Sequence, residues 1–78
     1  MQELIDFIAR SLVDDPMAVH VTQGRRGPNV ELRLQVSKED MGRIIGRSGR
    51  VANAMRILLR VAADREGKRA TLDIVEPR

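Results

Sequence analysis

The apolar residues of the first segment recur with the spacing of a helix that buries one face. Within residues 2–13 they stand at positions i, i+1, i+4 and i+8, as Leu4, Ile5, Ile8 and Leu12. This spacing predicts an amphipathic helix over residues 2–13. Because proline disfavours helical geometry in the residue before it, the helix is expected to stop ahead of the Asp14-Asp15-Pro16 run.

Three later segments alternate apolar and polar residues, which is the pattern of half-buried strands. The alternation predicts strands over residues 17–23, 30–36 and 69–75, and residues 30–36 carry it most cleanly. The turn-forming run Gly24-Arg25-Arg26-Gly27-Pro28-Asn29 separates the first two segments. An antiparallel hairpin is therefore expected there.

Two helices are predicted between the second and third strands. Ser37 and Asp40 have the S-x-x-D spacing of a helix N-cap, which predicts a short helix over residues 38–44. A longer helix is predicted over residues 50–66, with Gly67 after its end.

The predicted order is α-β-β-α-α-β, in one domain spanning residues 1–78. The two strands that flank the helix pair should lie parallel, joined by a right-handed crossover. We therefore expect an α+β fold with a three-stranded mixed sheet covered on one face by helices. The other face should be wet, and it would carry Glu31, Arg33, Gln35, Thr71 and Asp73.

Composition narrows the class of protein. The 78 residues contain no cysteine, so a disulfide, a thiolate metal site and a thiol nucleophile are all excluded. No apolar run approaches the roughly 20 residues of a membrane span. The chain opens with acidic residues where a signal peptide would be basic, so a cytoplasmic location is expected.

Charge is unevenly distributed, although the net charge is only +3. The segment from Met41 to Ala63 has no acidic residue and contains Arg43, Arg47, Arg50, Arg56 and Arg60. The first fifteen residues are mainly acidic by comparison. One part of the molecule should therefore be positive, which is compatible with a nucleic-acid partner but also with an ordinary solvated helix face.

The most informative segment is Ile44-Ile45-Gly46-Arg47-Ser48-Gly49-Arg50-Val51. Two glycines three residues apart allow a tight turn and leave its backbone free of side chains, so a polymer can lie against it. The turn also leads into a helix N-terminus, where unpaired N–H groups attract phosphate. With arginine inside and after it, the turn predicts a clamp for the backbone of single-stranded nucleic acid.

This segment resembles the G-x-x-G signature of KH domains, and the order of elements is similar to the prokaryotic type II arrangement. The resemblance extends over essentially the whole chain to the KhpA family of small bacterial single-KH proteins. It includes the runs Leu4–Val13 and Glu39–Gly46 and the Arg50-Val51-Ala52 entry to the long helix. Many members have Lys-Gln or a similar pair between the glycines, whereas this chain has Arg47-Ser48.

The resemblance implies cytoplasmic binding of single-stranded RNA, with no cofactor. The implied contact residues are Ile45, Gly46, Arg47, Ser48, Gly49, Arg50 and Val51. Arg43, Arg25 and Arg26 are candidate auxiliary contacts, and for Arg25 and Arg26 an ordinary solvated hairpin tip is the alternative. Bases would lie in a groove whose apolar floor includes Ile45, Val51 and part of the strand over residues 30–36. The family also implies a homodimer or a heterodimer with a KhpB/Jag/EloR-type protein. Such a pair is linked to RNA chaperone activity, cell elongation and peptidoglycan homeostasis.

The long helix has a wider apolar arc than one buried face requires. Its expected core stripe is Val51, Met55, Leu58, Leu59 and Ala62, and Ala54, Ile57 and Val61 widen that stripe. Two interpretations stay open: the extra residues pack beneath the first helix, or they form an exposed interface for a partner.

Other functions find little support in the residues. No spacing suggests a nucleophile with its base, and a lone His20 without cysteine makes a metal site improbable, so a non-enzyme is expected. The glycines lack the Gly-Lys-Ser/Thr of a P-loop. The alternatives to RNA binding are an adaptor that docks a partner through the long helix, a DNA-binding helix-turn-helix and a purely structural turn. The DNA-binding helix-turn-helix is disfavoured because the helix after the turn begins with apolar residues, whereas a recognition helix contacts bases with polar residues there.

Overall fold

The computed structural model describes residues 1–76, and the last two residues of the predicted domain lie outside them. Three helices and three strands follow one another as α1 (Gln2–Leu12), β1 (His20–Arg26), β2 (Asn29–Gln35), α2 (Met41–Ile45), α3 (Arg50–Arg65) and β3 (Arg69–Val75). Single 3-10 turns occupy Pro16–Ala18, Lys38–Asp40 and Arg47–Gly49. The fold is the expected α+β arrangement.

The three strands form one mixed sheet with β2 in the centre. β1 pairs antiparallel with β2, and β3 pairs parallel with β2 so that Asn29 lies opposite Arg69. The strict alternation along β2 places Val30, Leu32 and Leu34 on the covered face, where all three are buried. The predicted wet face is exposed at Glu31, Arg33, Thr71 and Asp73, with Gln35 half-buried.

One hydrophobic core lies between this face of the sheet and the helices. α1 contributes Ile5 and Ala9, α2 contributes Ile44, and α3 contributes Met55 and Leu59. Burial of the isoleucine, leucine and methionine side chains among these stabilises by about 1.5–3 kcal/mol each. The short α2 is thus anchored by one core residue, which sets the position of the turn that follows it.

The first strand begins later than its sequence pattern indicates. Residues 17–23 were expected to be extended, but Pro16–Ala18 forms a 3-10 turn and the strand begins at His20. The fixed φ of proline suits the start of a turn, and the N–H of Val19 closes it on the carbonyl of Pro16. Met17 is consequently exposed, while Val19 is buried. The strand continues to Arg26, so the hairpin turn consists of Gly27 and Pro28.

Candidate nucleic-acid interface

The turn between α2 and α3 has a backbone that favours glycine at both ends. Gly46 adopts φ 77° and ψ 173°, and Gly49 adopts φ 76° and ψ 13°. Ser48 between them also has a positive φ of 55°. The N–H of Gly49 donates to the carbonyl of Gly46 at 3.2 Å, which closes residues 46–49 into a compact loop, here called the glycine turn.

Gly46 is required by space as well as by conformation. A Cβ at this position would lie 2.4 Å from Cγ2 of Val51 and 2.8 Å from its backbone nitrogen. A Cβ at Gly49 would meet nothing nearer than Nδ2 of Asn53, at 3.9 Å. The glycine turn is therefore packed directly onto the first turn of α3 at Gly46, whereas its backbone is open at Gly49.

The glycine turn leads straight into α3, a helix of 16 residues with no acidic residue in its first turn. The N–H groups of that first turn have no partner four residues earlier within the helix, so they carry partial positive charge. Arg47 and Arg50 are exposed beside them. The salt bridges found among residues 1–76 involve other cations. Bare backbone, helix N-terminus and free guanidinium groups together suit a polyanion.

The two isoleucines before the turn have different environments, and the sequence alone did not indicate which of them fills the core and which lies at the surface. Ile44 is fully buried in the core, whereas Ile45 is 40% exposed beside the turn. Val51 is half-buried. The expected contribution of residues 30–36 to an apolar floor is wrong, because the apolar side chains of that strand, Val30, Leu32, Leu34 and Val36, are all buried in the core. An apolar contact with a base would thus involve Ile45 and Val51.

The structure separates two of the three auxiliary arginines from the glycine turn and pairs the third with carboxylates. Arg25 and Arg26 lie at the hairpin end of β1, beside the start of β2. The turn follows the opposite end of β2, and a strand of seven residues spans roughly 23 Å. Arg43 pairs with the carboxylates of Asp14 and Asp40, so its charge is largely compensated. Within the described chain Arg25 and Arg26 are therefore not part of one cluster with Arg47 and Arg50, whereas Arg43 lies on α2 just before the turn with its charge paired.

A buried carboxylate just before α2 is the feature that the sequence pattern did not reveal. Asp40 is 3% exposed, and it is the one charged side chain that is buried in residues 1–76. Its Oδ1 accepts the N–H of Asp14 at 3.1 Å, and its Oδ2 accepts the N–H of Asp15 at 3.2 Å and the hydroxyl of Ser37 at 2.9 Å. The S-x-x-D spacing had indicated only a helix cap, but the carboxylate instead holds the segment between α1 and β1.

These contacts stabilise the ionised form of Asp40. The N–H of Asp14 contributes most to holding the pKa of the Asp40 carboxyl below its usual value, against an opposing effect of burial. Ser37, Asp15 and Arg43 add to the lowering. In turn, the carboxylate of Asp14 raises the pKa of Arg43. The Asp40 carboxyl is consequently an anion throughout the neutral pH range.

The outer side of α3 exposes a strip of apolar side chains. Ile57 is 57% exposed, Val61 is 49% exposed and Ala54 is also at the surface. These residues therefore do not pack beneath α1, which was one of the two expectations. Leu58 was expected in the core, but it is 50% exposed, while Ala52 and Ala63 are buried on the opposite side of the helix. We call Ala54, Ile57, Leu58 and Val61 the α3 strip.

Within residues 1–76, no helix is both long and apolar enough to cross a bilayer. The same residues contain no group of three or more histidine, aspartate or glutamate side chains arranged to hold a metal ion.

Comparison with known proteins gives a consistent result. A family model described as the KhpA/KhpB KH domain matches residues 2–74. A protein named RNA-binding protein KhpA from Clostridium perfringens is 44% identical over 75 residues, covering 96% of this chain and all of that protein. Proteins of the same name from Listeria monocytogenes and Borreliella burgdorferi are 42% and 45% identical, each over 76 residues. These alignments cover 97% and 95% of this chain, and 100% and 90% of the two relatives.

Proposed function

This chain belongs to the KhpA/KhpB family of KH domains, and we propose that it binds single-stranded RNA without catalysing a reaction. The observation that carries the proposal is the glycine turn, an open backbone at the N-terminus of α3 with Arg47 and Arg50 exposed beside it. An RNA backbone supplies the regularly spaced negative charges that such a surface attracts. KH domains hold about four nucleotides in this way.

Each residue of the turn has a distinct role in this proposal. Arg47 and Arg50 contact phosphates through charge-assisted hydrogen bonds, and Ser48 donates its hydroxyl to a phosphate oxygen. Gly49 leaves the backbone accessible, while Gly46 allows the turn to pack against Val51.

The affinity of one domain should be modest. Phe7 is the one aromatic residue in the sequence, and it lies on α1 rather than at the turn. Stacking of bases on aromatic rings, worth about 1–3 kcal/mol per base, is therefore missing from the contacts assigned to the turn. Binding would rest on phosphate contacts and on the aliphatic side chains of Ile45 and Val51, with weak preference among bases and strong dependence on salt.

The test is binding of a short fluorescent single-stranded RNA to the double variant Arg47→Asp/Ser48→Asp. Aspartate tolerates a positive φ better than most residues, so the fold should survive at position 48. The matched control is Arg69→Asp/Thr71→Asp on β3, which changes the net charge equally at two exposed positions that are assigned no contact with RNA. We expect binding to be lost in the first variant and largely kept in the second. Equal loss in both would refute the local clamp and leave only general electrostatic attraction.

We propose in addition that the α3 strip docks a second KH domain, either from another copy of this chain or from a larger KH protein. Ile57, Leu58 and Val61 expose about half of their apolar surface side by side. Two linked domains would add their phosphate contacts and raise the avidity for longer RNA. A pair of this kind suits an RNA chaperone in the cytoplasm acting in post-transcriptional regulation. The resemblance to the family is what connects it with cell elongation and peptidoglycan homeostasis.

The α3 strip also supports a rival function, in which the domain is mainly a protein adaptor. Sedimentation of Ile57→Gln/Val61→Gln, which makes the strip polar without changing the net charge, tests self-association directly beside the parent chain. Under the RNA-binding proposal this variant binds short RNA with unchanged affinity and long RNA more weakly. Under the adaptor function, Arg47→Asp/Ser48→Asp keeps its partner and its cellular role despite having lost RNA.

A further inference from the structure

The helix that carries the glycine turn is too short to hold its own position. α2 has only five residues, far below the roughly 12–15 at which isolated helices become stable. Its placement therefore depends on contacts with the rest of the fold. Ile44 anchors its last turn in the core, and the Asp40 carboxylate anchors its beginning.

A direct series of contacts connects Asp40 with the glycine turn. Asp40 immediately precedes α2, and within α2 the carbonyl of Gly42 accepts the N–H of Gly46 at 2.9 Å. Gly46 in turn lies against Val51, at the start of α3. Because a Cβ would not fit at Gly46, this junction has little room to absorb a shift of α2.

We propose that Asp40 is a positioning residue for RNA binding. Its carboxylate holds residues 14 and 15 against the start of α2 and thereby keeps the glycine turn in the geometry that receives the RNA backbone. Asp40 is buried, so it does not contact RNA itself. The proposal rests on the RNA-binding function above, and it assigns a role in that function to a residue outside the turn.

The variant Asp40→Asn separates positioning from charge. An amide has one acceptor oxygen for the two backbone N–H groups, so one of them loses its partner. The substitution also removes a negative charge, which by electrostatics alone would strengthen binding to RNA. Asp73→Asn is the matched control, because it removes one negative charge from an exposed pair with Arg33 on the open face of the sheet.

The measurements are RNA affinity and amide hydrogen exchange, both at a temperature where circular dichroism shows each variant folded. We expect Asp40→Asn to bind RNA roughly three- to tenfold more weakly, the factor that the loss of about one net hydrogen bond corresponds to. Exchange should quicken over residues 42–50 but not in β2 and β3. Asp73→Asn should bind as tightly as the parent chain or slightly more tightly.

Equal or tighter binding by folded Asp40→Asn, with unchanged exchange over residues 42–50, would overturn the proposal. If Asp40→Asn does not fold, Ser37→Ala takes its place, because it removes only the hydroxyl bond to Asp40 and leaves the charge intact. Ser37→Ala should also weaken RNA binding and quicken exchange over residues 42–50, but by smaller amounts. If neither change is seen, the proposal is overturned. If the parent chain itself fails to bind RNA, the RNA-binding function fails, whereas hydrogen exchange still decides whether Asp40 holds the turn.

Discussion

Replacing Gly46 by alanine tests the geometry of the glycine turn most severely. The new Cβ would lie 2.4 Å from a methyl carbon of Val51, and the backbone would be left at φ 77°, ψ 173°. A side chain in that region of backbone conformation costs about 1–3 kcal/mol, and overpacking costs a further 1–3 kcal/mol or so. We therefore expect Gly46→Ala to lower the free energy of unfolding by about 2–6 kcal/mol, a large part of what a small domain has.

Gly49→Ala is the matched comparison, because it has a similar φ of 76° without the crowding. It should cost about 1–2 kcal/mol, and Gly49→Asn should cost less than Gly49→Ala since asparagine tolerates the left-handed conformation. Urea unfolding followed by circular dichroism measures all three, with the midpoint expected to shift at constant slope. If Gly46→Ala costs no more than Gly49→Ala, then contact with Val51 does not restrict the turn and the reasoning is refuted.

Three further predictions concern neighbouring residues. Ile44→Ala should lower the free energy of unfolding by about 2–5 kcal/mol because the Ile44 side chain fills the core. Ile45→Ala should lower it by only about 1 kcal/mol and should instead weaken RNA binding. Urea unfolding and RNA titration of the same samples measure both effects, and equal stabilities of the two variants would contradict the prediction. Phosphate contacts by Arg47 and Arg50 predict a slope of about −1.4 in a plot of log affinity against log salt, which Arg47→Gln should reduce in magnitude by about 0.7; an unchanged slope would place Arg47 away from phosphate. The pKa of Asp40 in the folded protein lies below its ordinary value of 3.8, so the stability that the carboxylate contributes is fully present above pH 3.8 and is lost as the pH falls through the folded pKa. The difference in unfolding free energy between the parent chain and Asp40→Asn should therefore shrink on acidification. A difference that stays constant would exclude the carboxylate as the source of that stability.

Short-range patterns were sufficient for most of the fold. Val30, Leu32 and Leu34 alternate with polar residues because a strand points successive side chains to opposite faces, so the pattern predicts both the strand and its buried side. The glycine pair likewise predicts a turn, because few other residues adopt positive φ. The limit of this reasoning is visible at Met17, where apolar alternation continued into a 3-10 turn that begins at Pro16.

The site required information that no local pattern contains. The angular position of Leu58 on α3 is readable from the sequence, but whether another element covers that side of the helix depends on how the helices are placed around the sheet. The separation of Arg25 from the glycine turn follows from the direction of β2 between them.

The sequence by itself therefore determined the order of elements, the mixed sheet and the glycine turn, because periodicity and backbone preference act over a few residues. Only the tertiary structure decided which isoleucine is exposed beside the turn and which arginines are paired with carboxylates. It also decided which backbone N–H groups the Asp40 carboxylate binds. The bonds from Asp40 reach back 25 and 26 residues along the chain. Contacts over such separations arise from the packing of whole elements, so they leave no periodic trace in the residues that make them.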